Sequence, residues 1–186
     1  SLERITACCD VLCSKAIGLV DSINYYRQIA IADASVSVPE RFNTASHLIV
    51  GLVSCGEALE SRVRTFFETG DLLAGYLLNE IGNELLFNQA VDLQAHLCAR
   101  HDTSLGGISA AYCPGDGEMD VSLQTPLFEL LRLGDDRRVR INEHHMLIPE
   151  KSMLFVMFIG SNITCEPGEH ACARCNNTSC QQRQSF

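Results

Sequence analysis

The chain has 186 residues, 46% of them apolar, and a formal net charge of −9 at neutral pH. That length suits one globular domain with a sizeable core and a small appendage. The acidity argues against a phosphate-backbone partner, which needs clustered Lys and Arg, and there is no run of about 18 uncharged apolar residues to span a membrane.

Residues 1–30 read as helical, because Leu12, Ala16, Leu19, Ile23 and Tyr26 recur at three- and four-residue steps, with Asp21-Ser22 marking a break. Near the start, Cys9 and Cys13 share a helix face, with Cys8 beside them. They read as small buried hydrophobes, with a redox pair or extra thiolate ligands as the alternative. Val36 and Val38 alternate with serines and predict a short strand that Pro39 ends. Leu48 to Val53 is a buried strand, rich in β-branched residues. Ser54-Cys55-Gly56 turns into a helix running to about Thr69, with Leu59, Val63, Phe66 and Phe67 as its apolar face. After Gly70-Asp71 a long helix runs from Leu72 to about Arg100. Leu73, Leu77, Ile81, Leu85, Gln89, Asp92 and His96 fall near one line along it, apolar at first and polar at the end.

The stretch from Gly106 to Gly160 reads as strand, turn, helix, turn, strand, polar corner, strand. Ile108 to Tyr112 is apolar and ends in the Pro114-Gly115 turn; Gly134-Asp135-Asp136 is the second turn; Glu143-His144-His145 is the polar corner before the apolar run Met153 to Ile159. A ligand is expected at the polar corners. His144 and His145 are adjacent and point to opposite faces of a strand, so they line a site or the surface rather than share a metal. The predicted fold is α+β: a twisted, mainly antiparallel sheet with strands near 48–53, 106–113, 137–142 and 152–160. Helices over 56–69, 72–100 and 122–132 pack against it.

Residues 1–160 are expected to form this domain, and residues 161–186 a Cys-rich tail. The tail has almost no large apolar residues, so burial alone cannot order it. Its Cys165, Cys172, Cys175 and Cys180 follow the spacing C-x6-C-x2-C-x4-C, with His170 as a substitute ligand. Four thiolates at such spacing hold zinc tetrahedrally or bind an iron–sulfur cluster. No signal peptide is visible, so a cytoplasmic chain with reduced thiols is expected. The Asn-x-Ser/Thr triplets at Asn162, Asn176 and Asn177 match a glycosylation pattern that is common by chance, and an extracellular disulfide framework is the alternative. There is no phosphate-cradling glycine loop, no Gly-x-Ser-x-Gly elbow and no His-Glu-x-x-His.

Several short motifs run in one order. They are Gly56-Glu57-Ala58-Leu59-Glu60, Gly70-Asp71, Ile81-Gly82-Asn83-Glu84, Tyr112-Cys113-Pro114-Gly115, Leu123-Gln124, Asn142-Glu143-His144, and Met146 to Ser152. With the apolar strand before them they cover residues 48–160. In order and spacing this stretch resembles the activation domain of vitamin B12-dependent methionine synthase in a small stand-alone form.

The resemblance implies S-adenosylmethionine binding at Tyr112, Cys113, Pro114, Gly115 and Glu143, and an accessory role in methionine biosynthesis. Cobalamin would be carried by a partner, a corrinoid-binding protein or the methionine synthase core, on which this chain docks in trans. An electron would come from a reductase or ferredoxin, and S-adenosylmethionine would methylate cobalt(I). The family's arginine three residues before the proline is Ala111 here, and its tyrosine after the glycine is Asp116. Arg140 or Lys151 would have to supply the missing cation. Two alternatives stay open. One is a metal-binding or iron–sulfur electron-transfer protein on the same scaffold that has lost S-adenosylmethionine binding. The other is a zinc-stabilised interaction module.

Overall fold

The computed structural model describes residues 2–116 and 119–163. Cys165, Cys172, Cys175 and Cys180 lie outside the described residues. The order is α1 (Leu2–Leu19), β1 (Ile23–Ala30), β2 (His47–Ser54), α2 (Glu57–Glu68), α3 (Leu72–Arg100), β3 (Gly107–Ile108), α4 (Gln124–Leu130), β4 (Arg140–Ile141), β5 (Leu147–Ile148) and β6 (Ser152–Gly160). One four-stranded sheet runs β1-β2-β6-β3, antiparallel throughout, and β4 and β5 form a separate two-stranded ribbon. The α+β class expected from the sequence is the class observed.

The central pair is β2 and β6, in register from His47 opposite Ile159 to Ser54 opposite Ser152. Both are buried on both faces, which is why each reads as a continuous apolar run rather than an alternation. Successive side chains point to opposite faces. Leu48, Val50, Leu52, Leu154, Val156 and Phe158 meet Leu127 and Leu131 of the α4 region, Leu147 of the ribbon, and Phe42. Ile49, Val53, Phe155, Met157 and Ile159 meet Leu86, Ala90, Leu93 and Leu97 of α3. The N-terminal half of α3 leaves the sheet and builds a third core with α1 and α2, through Leu12, Ala16, Leu59, Val63, Ala74 and Leu78. Asp71 starts α3 by accepting the amide of Ala74 (3.2 Å).

Several expectations change. Residues 23–30 are a strand, not the end of a first helix. Ile23, Tyr25, Arg27 and Ile29 alternate with more exposed residues, and over so short a stretch that period of two coexists with the three-and-four spacing. Asp21-Ser22 is therefore the boundary between helix and strand. Within α1, Cys13 is exposed, while Cys8, one turn before Leu12, packs on the helical core. Val36 and Val38 form no strand: the amide of Val36 bonds locally to the Ala34 carbonyl (2.7 Å), and both side chains pack on the core.

The buried stripe of α3 runs through Ala74, Leu78, Gly82, Leu86, Ala90, Leu93 and Leu97, about one position round from the line read in the sequence. Leu73 on that line is exposed and Leu77, Ile81 and Leu85 pack only at the margin. The strand expected at 137–142 shortens to Arg140–Ile141. It leaves the main sheet because the chain turns back at once and pairs with itself at Leu147–Ile148. The strand expected at 106–113 pairs with β6 at Gly107–Ile108 and again at Tyr112, with an interruption between them.

One close approach sets the spacing of the central pair. Gly51 faces Phe155 across the strands, and a Cβ on Gly51 would lie 2.2 Å from the tip of that ring, which is fully buried. Gly51→Ala should therefore overpack the α3-facing core and lower stability by about 1–3 kcal/mol in urea unfolding. A stability equal to that of the parent would show that the ring has room to move.

Candidate functional site

The Tyr112–Gly115 turn hangs from the middle of β6. The amide of Tyr112 donates to the Val156 carbonyl (2.9 Å) and the amide of Val156 donates back to Tyr112 (2.8 Å). The turn then closes on itself. Asp116 N–H donates to Cys113 C=O (3.0 Å), and Gly115, at φ 95°, donates to Met119 C=O (2.8 Å). Positive φ is where a glycine is needed, and a tight turn is what Pro-Gly encodes. Met119 is buried in the same core as Tyr112, so both ends of the turn are pinned.

The Tyr112 ring is buried edge-on against Phe42 (centroids 5.0 Å apart), and Phe42 in turn stacks on Phe158 (4.3 Å). Phe42 belongs to a short helical turn in which its amide bonds to Pro39 and that of Asn43 bonds to Glu40. The neighbouring Arg41 lays its guanidinium over both rings, 4.4 Å from the Tyr112 centroid and 4.8 Å from that of Phe42. Pro39, Glu40, Arg41 and Asn43 line an open hollow of about 700 Å³. Arg41 thus brings a two-pronged cation to the turn from 71 residues upstream of it. Nothing in the sequence links the two, because only the pairing of β2 with β6 puts the loop beside Tyr112.

The cations expected to replace the missing arginine stand elsewhere. Arg140 Nη2 is 3.7 Å from Glu57 Oε1, both side chains exposed. Lys151 is buried at the far end of β6, about 17 Å along the strand from Val156 at some 3.3 Å per residue. Its ammonium donates to Asn79 Oδ1 of α3 (2.8 Å). It lies beside Cys55, whose thiol pKa burial pushes up while the Lys151 charge partly offsets it. Ala111 is buried in the α3-facing core, with Cys113 packed at its margin.

The ribbon tip carries Glu143. Its side chain is 87% exposed, and its Oε1 lies 3.6 Å from His144 Nε2. Asn142 builds the tip by accepting the amides of His144 and Met146, each at 2.9 Å. His145, at φ 61°, fastens the tip to the start of α4: its Nδ1 shares a hydrogen bond with Thr125 Oγ1 (2.7 Å) and its carbonyl accepts Gln124 Nε2 (2.6 Å). Gln124 and His145 are thus positioning residues for the ribbon. Among the described residues no three His, Cys, Asp or Glu side chains converge as a metal site.

A polar clamp holds the other end of this layer. Arg27 Nη1 donates to the Leu130 carbonyl (2.9 Å) at the end of α4. Tyr25 Oη donates to Asp136, and Arg138 donates to both Asp136 (2.9 Å) and Tyr25 (2.7 Å). The hydrogen bonds from Arg138, then that from Tyr25, hold the Asp136 carboxyl well below the usual carboxylate range. Asp136 correspondingly raises the pKa of Arg138. Burial first, and the Asp136 hydrogen bond second, push the Tyr25 phenol up.

Solved structures share this architecture, with 11 matching chains. One of them is the MetH reactivation domain bound to AdoHcy, with a TM-score of 0.52 over 63% of this chain and 12% sequence identity. The match covers 41% of that neighbour, so the present chain spans about two fifths of its length. The likeness is one of fold. No family model and no curated protein matches the chain. Among the described residues no helix is long and apolar enough to cross a membrane.

The clamp makes a pH-dependent contribution with a definite sign. A carboxyl that titrates lower in the folded than in the unfolded chain stabilises fully above the unfolded value of about 4, and loses that effect as pH falls through the folded value. Tyr25→Phe removes one donor to Asp136. The variant should be less stable than the parent near neutral pH, and the gap should narrow below about pH 4. Urea unfolding across a pH series checks this; a gap independent of pH would show that the loss comes from packing alone.

Proposed function

We propose that this chain is a reactivation-type accessory module for a cobalamin-dependent methyltransferase. It binds S-adenosylmethionine or its demethylated product at the Tyr112–Gly115 turn and docks in trans on a corrinoid protein. The observation that carries this reading is the Arg41 guanidinium, which lies 4.4 Å over Tyr112 and lines an open hollow. It restores, from another segment, the cation that Ala111 does not provide. The fold shared with a reactivation domain bound to AdoHcy supports the same reading.

The chemistry of the residues supports such a ligand. A guanidinium matches a carboxylate in two-pronged geometry, so Arg41 takes the amino-acid end. The backbone of Cys113, Pro114 and Gly115, next to the Tyr112 ring, takes the nucleoside. Glu143, on the ribbon that His145 ties to α4, supplies negative charge for the sulfonium. When bound, S-adenosylmethionine would supply a methyl group to the reduced corrinoid carried by the partner. This chain's part is to hold and orient the donor.

A second reading has its own support. Ala111 is buried on the α3 side and Glu143 is largely exposed, and the tail carries the cysteine spacing C-x6-C-x2-C-x4-C. On that reading the scaffold is kept, nucleoside binding is lost, and Cys165, Cys172, Cys175 and Cys180 hold zinc or an iron–sulfur cluster that carries electrons.

Calorimetric titration of the anaerobic full-length chain with S-adenosylmethionine separates the two. The first reading expects binding at or below about millimolar concentration. Arg41→Ala should weaken it by about tenfold or more, and Glu143→Ala should also weaken it. No heat at millimolar ligand, with iron or zinc present in stoichiometric amount, would replace the first reading with the second.

A further inference from the structure

Among the described residues β1 is one edge of the sheet. The Ile31 amide donates to the Ser46 carbonyl (2.9 Å), continuing the register that sets Ile23 opposite Ser54. Antiparallel pairs alternate between bonded and non-bonded positions. The odd-numbered residues of β1 are therefore those bonded to β2, and the N–H and C=O groups of Asn24, Tyr26 and Gln28 point away from the sheet. A row of outward backbone groups is a template for another strand, which proteins guard with Lys, Pro or a bulge. The sequence Ile-Asn-Tyr-Tyr-Arg-Gln-Ile-Ala contains neither Lys nor Pro. Its Arg27 is turned to the other side of the sheet, bonded to Leu130.

Beside this edge runs a groove of about 580 Å³ between β1 and the C-terminal half of α3. Asn24 and Tyr26 form one wall and Leu85, Gln89, Asp92 and His96 the other. Gln89 fixes the groove's width, because its Nε2 donates to Ile23 C=O (2.9 Å) and to Asn24 Oδ1 (2.9 Å). The polar end of α3 that stood out in the sequence is thus the far wall of a groove, not a buried line. Among the described residues the groove is lined by Asp92 and by no Lys or Arg, in a chain of net charge −9.

We propose that this groove binds an extended, basic peptide segment of another protein, which adds as a strand to β1. The peptide's backbone pairs with Asn24, Tyr26 and Gln28. Every second side chain enters the groove, where a Lys or Arg stem lies along Leu85 and Tyr26 and its charge meets Asp92. Strand addition of this kind takes its affinity from main-chain hydrogen bonds and its specificity from alternate side chains. Charge selects this occupant over a second copy of the chain, since self-pairing would set two chains of net charge −9 edge to edge. The proposal is independent of what binds at Tyr112.

The test is to pan a phage-displayed library of random decapeptides against the full-length chain and to synthesise the most enriched peptide. Enrichment of Lys or Arg at alternate positions is expected, with slowed amide exchange at Asn24, Tyr26 and Gln28 when the peptide is added. Asp92→Lys should weaken binding by about tenfold or more. Tyr26→Pro, which removes an outward N–H without touching the β1–β2 ladder, should do the same. If Tyr26→Pro does not fold, Asp92→Lys and the exchange data still decide. No enriched peptide, enrichment without cations, or binding indifferent to Asp92→Lys would overturn the proposal. So would a dimer in sedimentation with the β1 amides already protected.

Discussion

β2 and β6 lie side by side with both faces of each strand buried, and everything else in the molecule answers to that arrangement. A two-faced strand pair needs a cover on each side. α3 supplies one through Leu86, Ala90, Leu93 and Leu97. α4, the ribbon and the Pro39–Asn43 loop supply the other through Leu127, Leu147 and Phe42. Gly51 lets the Phe155 ring fit between the pair and α3. The cover on the α4 side is made of short elements held by side-chain clamps such as Tyr25 with Asp136 and His145 with Thr125. Binding surfaces are commonly assembled from such segments on a rigid support.

The candidate site follows from this division. Tyr112 is fixed to an inner strand of the sheet by two backbone hydrogen bonds to Val156. Phe42 packs on Tyr112 and Phe158, and so delivers Arg41 to the turn. The packing of Phe42 thus helps to position the neighbouring Arg41 over the Tyr112 ring. Charge and apolar core are in this way coupled at one place, where a planar cation, an aromatic ring and a tight turn meet.

Much of the fold was legible in the sequence where one period dominated. The continuous apolar runs of β2 and β6, the long α3 bounded by Gly70-Asp71, and the Pro114-Gly115 turn all stand where the residues place them. β1 was not legible, because Ile23 and Tyr26 satisfy a helical spacing as well as the alternation that the ladder with β2 selects. The ribbon was misassigned to the main sheet because pairing partners are a tertiary choice, and Arg140–Ile141 finds its partner in its own hairpin. At the site, the turn itself was readable as a motif. Arg41 was not, since its proximity to Tyr112 depends on the loop that leads into β2. The exposure of Glu143 at the ribbon tip also depends on a local turn, built by Asn142, that no spacing rule anticipates.

The central claim is that the ligand site is made jointly by the Tyr112 turn and the Arg41 loop. Amide chemical-shift mapping of the labelled full-length chain during titration with AdoHcy tests it most directly. The account predicts saturable shifts concentrated in two separate segments, residues 39–43 and residues 112–116, moving with one affinity. Shifts confined to the groove between β1 and α3, or no saturable shifts at all, would contradict it.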